Sequence, residues 1–208
     1  MNNSQRVKWV VALILVILVL DQALKFYVKT SYPLGGGFPI FGLDWAQIKF
    51  TENYGMAFGM EFGGSVGKIV LSVFRVLAGG VLMYYTIKTA RSVSKNSIVY
   101  CLGLITAGAI GNVIDGLFYG VLFSESTPTK TAQFLGPEGG YSSFFDGHVV
   151  DMLYFPMIDT TWPEWMPFVG GGSFEFNRYI FNLADLYITV GVIAIIIIGF
   201  RSKKNPFS

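Results

Sequence analysis

The residues with chemistry to do in this chain are carboxylates set inside apolar sequence. Asp185 closes the run Phe181-Asn182-Leu183-Ala184-Asp185, which opens the most apolar segment, Leu186 to Phe200. A charge near a bilayer centre costs roughly 2.5–3.5 kcal/mol, so an intramembrane acid needs a partner or a task. Four further polar clusters supply partners. Asp21 and Lys25 are four residues apart, share a helix face and can pair. Asn112 and Asp115 lie three apart in Gly111-Asn112-Val113-Ile114-Asp115, and Asn182 and Asp185 repeat that spacing. Glu52-Asn53-Tyr54-Gly55-Met56-Ala57-Phe58 and Gly147-His148-Val149-Val150-Asp151 complete the set. Each group has a plainer reading taken singly: an interfacial salt bridge, a turn asparagine, a helix cap or an interhelical hydrogen bond. Their convergence is what points to a site.

Other chemistries lack their parts. The single histidine, His148, and the single cysteine, Cys101, do not make a zinc ligand set, and a lone cysteine forms no intrachain disulfide. No glycine-rich phosphate loop opens a helix after a strand, so neither nucleotide chemistry nor a nucleic-acid partner is indicated. Paired carboxylates remain. Two of them in a partly dry site cannot both ionise easily, so they share one proton; one then activates water while the other acts as acid. From spacing alone the partner of Asp185 stays open among Asp115 and Asp151, and the matched Asn-x-x-Asp motifs favour Asp115.

The elements that must position these groups are membrane helices. Of 208 residues, 52% are hydrophobic and 13% charged, against about 25% charged in ordinary soluble domains. A span needs about 20 apolar residues. Four segments qualify, at about 8–28, 68–88, 97–120 and 181–201. The first follows Arg6 and Lys8 in the manner of a signal peptide, but no small-residue cleavage site follows it. The second carries Arg75, expected to face protein or water, and the third is rich in glycine and alanine, which permits close helix packing. Between helices one and two, about 38–66, polar–apolar alternation over Gln47 to Thr51 predicts a small sheet. It must lie outside the hydrocarbon, because open sheet edges are not tolerated there. Residues 121–179 read as an external loop and helix region of interfacial character, with Trp162, Trp165 and Phe168 among its aromatics. Basic clusters at Arg6 and Lys8, at Lys88, Arg91 and Lys95, and at Arg201, Lys203 and Lys204 put both termini and the middle loop in the cytoplasm by the positive-inside rule. The polar clusters then share the external half of the membrane. The expected fold is a polytopic α-helical membrane protein: a single unit of four transmembrane helices with a small external β-sheet cradle. A proton-coupled transporter using the same carboxylates is the competing function.

Five motifs in this order carry a resemblance: Asp21–Lys25 (DQALK), Asn53–Phe58 (NYGMAF), Gly111–Asp115 (GNVID), Val149–Asp151 (VVD) and Phe181–Asp185 (FNLAD). The sequence resembles lipoprotein signal peptidase, signal peptidase II, a family of intramembrane aspartic endopeptidases. The resemblance implies removal of signal peptides from prolipoproteins, with cleavage on the N-terminal side of a cysteine bearing diacylglyceryl. It implies Asp151 and Asp185 as the catalytic pair, with Asp21, Lys25, Asn53, Gly55, Asn112, Asp115 and Asn182 in supporting or substrate-binding roles. It further implies no metal or cofactor, contact with membrane lipid, inhibition by globomycin, and residence in a bacterial cell (inner) membrane with the site near the external face. Two departures stand out. Gly116 follows the GNVID motif where the family usually has arginine, leaving Arg75 or Arg178 as replacements. Phe123 to Gly147 intervenes before the VVD motif, and an aromatic extension runs from Pro156 to Phe176. Asp146, five residues before Asp151, lacks its Val-Val context.

Overall fold

The computed structural model describes residues 2–54, 64–92, 95–156, 158–176 and 179–201. Four helices are long and apolar enough to cross a membrane. These are α1 (Asn3–Ser31), α2 (Gly64–Ser92), α3 (Asn96–Leu122) and α4 (Leu183–Arg201). The first begins earlier than hydropathy suggests. The Asn2 side chain accepts a hydrogen bond from Gln5 N at 2.8 Å and the Gln5 side chain accepts from Asn2 N at 3.2 Å, a capping box that starts the helix ahead of the basic residues. It ends where Tyr32 precedes Pro33, since proline disfavours helical geometry in the residue before it.

Glycines let the helices approach. A Cβ on Gly108 would sit 2.3 Å from the Ala184 carbonyl oxygen, and one on Gly191 would sit 2.8 Å from that of Cys101. These two contacts make α3 and α4 antiparallel neighbours. Gly103 packs on Val10 and Gly111 on Asp21, so α1 and α3 run parallel. At the opposite end from Asp21, Arg6 reaches Asn96 Oδ1 at 2.9 Å and Asn3 reaches the Arg91 carbonyl at 2.6 Å. The basic residues of the α1 start, the α2–α3 connection and the α4 end therefore share one end of the bundle.

At the other end lies a four-stranded antiparallel sheet in the order β1 (Gly37–Pro39), β2 (Gln47–Asn53), β3 (Val149–Tyr154), β6 (Ile180–Phe181). The sheet thus exceeds the 38–66 segment expected to form it. The VVD motif is itself a strand, and its flanks are apolar because Val150 and Met152 sit in a core with Phe50, Val28 and Phe123. Side chains alternate along a strand, so Asp151 occupies the face opposite Val150 and Met152. Gly37 is required by close approach: a Cβ there would lie 1.8 Å from the Ile48 carbonyl oxygen. Ile180 and Phe181, expected to open the last helix, instead pair with Tyr154 and Leu153, and the helix begins at Leu183.

The 121–179 region contains no helix beyond the end of α3 among its described residues. Turn-rich sequence makes loops there, and alternating residues make a separate hairpin of β4 (Ile158–Thr161) and β5 (Ser173–Phe176). The insertion from 123 to 147 folds back along the end of α3. Ser142 N donates to Gly120 O and Gly147 N to Gly116 O, each at 2.9 Å. That return delivers the chain to β3.

A buried ion pair secures it. Lys29 of α1 binds Glu52 of β2, while Ser126 donates to Glu52 at 2.8 Å and Lys29 also reaches Ser126 at 3.1 Å. His148 Nδ1 lies 2.9 Å from the other Glu52 oxygen, and its ring packs between Tyr54 and Tyr141. Burial pushes the Glu52 carboxyl up, but the His148 hydrogen bond and the Lys29 charge outweigh it and hold the group at about 2. A depressed carboxyl stabilises the fold above its ordinary range, near 4.5, and that contribution fades as pH falls towards about 2. Removing one member of a buried pair leaves an uncompensated charge, which costs about 3–5 kcal/mol. Thermal unfolding in detergent should accordingly show Lys29→Met strongly destabilised, with Lys29→Met/Glu52→Gln recovering much of the loss; equal midpoints for Lys29→Met and the parent would contradict this reading.

Candidate active site

Two asparagines form the centre of the polar cluster. Asn182 precedes α4 and caps it: Asp185 N donates to Asn182 Oδ1 at 3.0 Å, and Asn182 N donates to Asp185 Oδ2 at 3.4 Å. This is why the Asn-x-x-Asp spacing occurs at a helix start. With its carbonyl engaged by the cap, the Asn182 amide donates outward, to Asp151 Oδ1 at 2.7 Å and to Asn112 Oδ1 at 3.1 Å. Asn112 of α3 donates in turn to Asp185 Oδ1 at 2.9 Å. Asp151 and Asp185 thus flank one amide pair, approached from a strand and from a helix.

Their environments differ. Asp151 is buried and Asp185 half-buried. Burial first, and the neighbouring Asp185 charge second, push the Asp151 carboxyl up to about 7, against hydrogen bonds from Asn182 and Asn53 and the charge of Lys25. A carboxyl that keeps a proton near neutral pH can act as an acid.

Asp21 and Asp115 are arranged otherwise. Lys25 Nζ lies 3.0 Å from Asp21 and 2.8 Å from Asp115, and donates to Asn112 Oδ1 at 3.0 Å; all three charged side chains are buried. Asp115 also accepts from Val150 N at 3.2 Å and from Gln22 Nε2 at 2.8 Å. Asp21 accepts from Ala184 N at 3.1 Å, tying α4's first turn to α1. Every acceptor of Asp115 is thereby committed to holding α1, α3 and β3 together. The symmetry that pointed to Asp115 as the partner of Asp185 is not kept: Asp115 faces Lys25, while Asp151 and Asp185 bond the asparagine pair. Asp115 also begins a π-helical turn, Asp115–Tyr119, a distortion that re-aims side chains and recurs at functional sites.

Of the other sequence candidates, Asn53 lies at the end of β2, opposite Val149, and hydrogen-bonds Asp151. Gly55 lies outside the described residues, as does Arg178. Asp146 takes a hydrogen bond from Ser142 Oγ at 2.5 Å in the turn before β3. Gln22 was not singled out by sequence, yet it joins Asp21, Asp115, Gly111 O and the Tyr119 hydroxyl. Its place between Asp21 and Lys25, inside a motif otherwise read for its charges, was the available signal.

Comparison with known proteins shows the family and the fold. A family described as signal peptidase (SPase) II matches residues 13–201. A lipoprotein signal peptidase of Porphyromonas gingivalis is 45% identical over 191 residues, covering 91% of this chain and 82% of that one. One from Amoebophilus asiaticus is 32% identical over 195 residues, covering 92% and 78%. Among solved structures, one titled as a bacterial membrane enzyme structure obtained by the in meso method at 1.9 Å resolution superposes with a TM-score of 0.61 at 20% identity, covering 95% of both chains, which shows a shared fold. With four spans, a small antiparallel sheet and a match across nearly the whole length, the chain belongs to the signal peptidase II family of membrane proteases.

Proposed function

We propose that this protein is an intramembrane aspartic endopeptidase that removes signal peptides from prolipoproteins bearing a diacylglyceryl cysteine, cutting on the N-terminal side of that cysteine. The observation that carries the reading is the Asn112–Asn182 amide pair, which bonds Asp151 on one side and Asp185 on the other. Asp151, which holds its proton, acts as the acid and Asp185 as the base. Asp185 takes a proton from water, whose oxygen attacks the scissile carbonyl carbon. Asp151 gives its proton to the carbonyl oxygen as the tetrahedral diol forms. The diol then collapses: the C–N bond breaks, the leaving amine takes a proton from Asp185, and a diol hydroxyl returns one to Asp151. Asn112 and Asn182 hold both carboxyls in place, and Asn53 fixes Asp151 from the sheet. Asp21, Lys25 and Asp115 serve as the bonded base on which this pair rests, and the motif resemblance gives Gly55 a supporting or substrate-binding role.

The basic residues gathered at one end of the bundle support a cytoplasmic location for both termini. The site, at the opposite end, then lies near the external face of a bacterial cell (inner) membrane. There it meets a cysteine whose acyl chains stay in surrounding lipid, and there globomycin would compete with substrate. The transporter reading is left without support by the family match.

Two outcomes are expected. Asp151→Asn and Asp185→Asn each insert normally but lose cleavage of a diacylglyceryl prolipoprotein by a gel-shift assay; substantial turnover by either purified variant would remove that residue from the pair. The pH profile has a stated sign: as pH rises through about 7, Asp151 loses its proton and the acid is gone, so kcat falls on the alkaline side. A kcat that climbs steadily from neutrality to the lysine range would contradict the assignment of Asp151 as acid.

A further inference from the structure

Arg75 is a cation in a membrane-spanning helix that the arrangement above does not use. Its depth is fixed by contacts on either side. A Cβ on Gly116 of α3 would lie 3.8 Å from Ser72 Oγ, and one on Gly79 of α2 would lie 3.8 Å from Ile110 and 3.9 Å from Val113. Arg75 falls between Ser72 and Gly79, level with the stretch of α3 that carries Asn112 and Asp115. Ser72, one turn away, is itself tied to the Phe145 carbonyl at 2.8 Å, which fixes α2 against the returning insertion.

The half-buried Arg75 differs from the other cations of the bundle interior. Lys25 is bonded to Asp21 and Asp115, Lys29 to Glu52, and Arg6 to Asn96. Arg75 makes no hydrogen bond or ion pair with any described residue. Even so, the charges of Asp185, Asp115 and Asp151 all act on its guanidinium. Asp185 exerts the largest of these pulls, and Asp115 is already engaged by Lys25, which it shares with Asp21. A guanidinium within the field of a carboxylate pair, but bonded to neither, keeps five donors in a planar fork. An unpaired arginine is costly at membrane depth, and its natural complement is a set of acceptors that arrives with the substrate. An extended peptide lying between α2 and the carboxyl pair presents such acceptors as main-chain carbonyls, which signal-peptide side chains of any sequence leave available.

We propose that Arg75 is a substrate-binding residue whose guanidinium hydrogen-bonds main-chain carbonyls of the peptide segment lying across Asp151 and Asp185. The inference rests on the peptidase reading above. It gives α2 a direct part in gripping the scissile segment.

The test uses full-length protein in nanodiscs and a fluorescent diacylglyceryl prolipopeptide. Binding is measured for Asp151→Asn alone and combined with Arg75→Gln or Arg75→Lys. Steady-state kinetics and thermal midpoints are measured for the single Arg75 variants. Loss of charge-assisted hydrogen bonds should weaken binding and raise KM by about tenfold or more in Arg75→Gln, with the thermal midpoint little changed. Arg75→Lys recovers only part, because an ammonium keeps the charge but not the fork. Unaltered binding in the Asp151→Asn/Arg75→Gln protein overturns the proposal, even if the alkaline limb of kcat moves, since that pattern marks a counter-ion only. If Arg75→Gln does not insert, Arg75→Lys decides: a parental KM overturns the proposal and a raised one supports it. Cleavage by Asp151→Asn itself would instead remove Asp151 from the pair, and failure of the parent to cleave the prolipopeptide would sink the peptidase reading, so these failures are distinguishable from that of the Arg75 proposal.

Discussion

The structure depends on one buried cation. Lys25 sits among Asp21, Asp115 and Asn112 with no exposure to solvent. Without it, two carboxylates would face each other in a dry helix interface, an arrangement costing several kcal/mol per ion before any compensation. With it, the four-residue spacing on α1 becomes a post to which α3 is bonded by Asp115, β3 by the Val150 amide and α4 by the Ala184 amide. The Asn112–Asn182 pair hangs from that post, because Lys25 also donates to Asn112. The geometry of Asp151 and Asp185 is inherited from it. Lys29, one turn along the same face of α1, repeats the device at the sheet, where Glu52 and His148 bind the inserted segment.

The different settings of the four acids follow from this. Asp21 and Asp115 share Lys25 and are occupied; Asp151 is buried without a lysine of its own and keeps its proton to about 7; Asp185 is half-buried beside it and held by a cap. Position along the chain does not decide these roles. The number of donors around each carboxyl does, together with its access to water. The glycines of α3 serve the same end. A side chain at Gly111 would meet Asp21 Oδ2 at 2.7 Å and Ala184 Cβ at 3.4 Å, pushing apart the three helices whose contact makes the cluster dry.

Helix number and approximate bounds were legible because membrane spans announce themselves by length and apolarity. The pairing of Asp21 with Lys25 was legible because four-residue spacing puts both on one helix face. Strand topology was not. The sheet draws β2, β3 and β6 from three distant stretches, and two-residue β6 was absorbed into the apolar run that precedes α4. Periodicity carries no signal over so short a segment. The choice between Asp115 and Asp151 was hidden for a related reason. Matching Asn-x-x-Asp spacings look equivalent in sequence, but one is a helix-interior pair facing a lysine and the other is an N-cap. Motif resemblance chose Asp151 where spacing alone favoured Asp115. In the structure β3 carries Asp151 to the Asn182 amide while Asp115 is engaged by Lys25 and the Val150 amide, which is what favours the proposed pair.

In the proposed peptidase, burial and the Asp185 charge keep a proton on Asp151 near neutral pH. Infrared difference titration of the membrane-embedded protein reads this directly, with the Asp151 carboxyl band identified by its loss in Asp151→Asn. The account predicts that this band persists on raising the pH until about 7, and that Asp185→Asn moves its disappearance to lower pH because a neighbouring negative charge has been removed. An Asp151 carboxyl already ionised well below neutrality in the parent, or one whose titration is indifferent to Asp185, would contradict it.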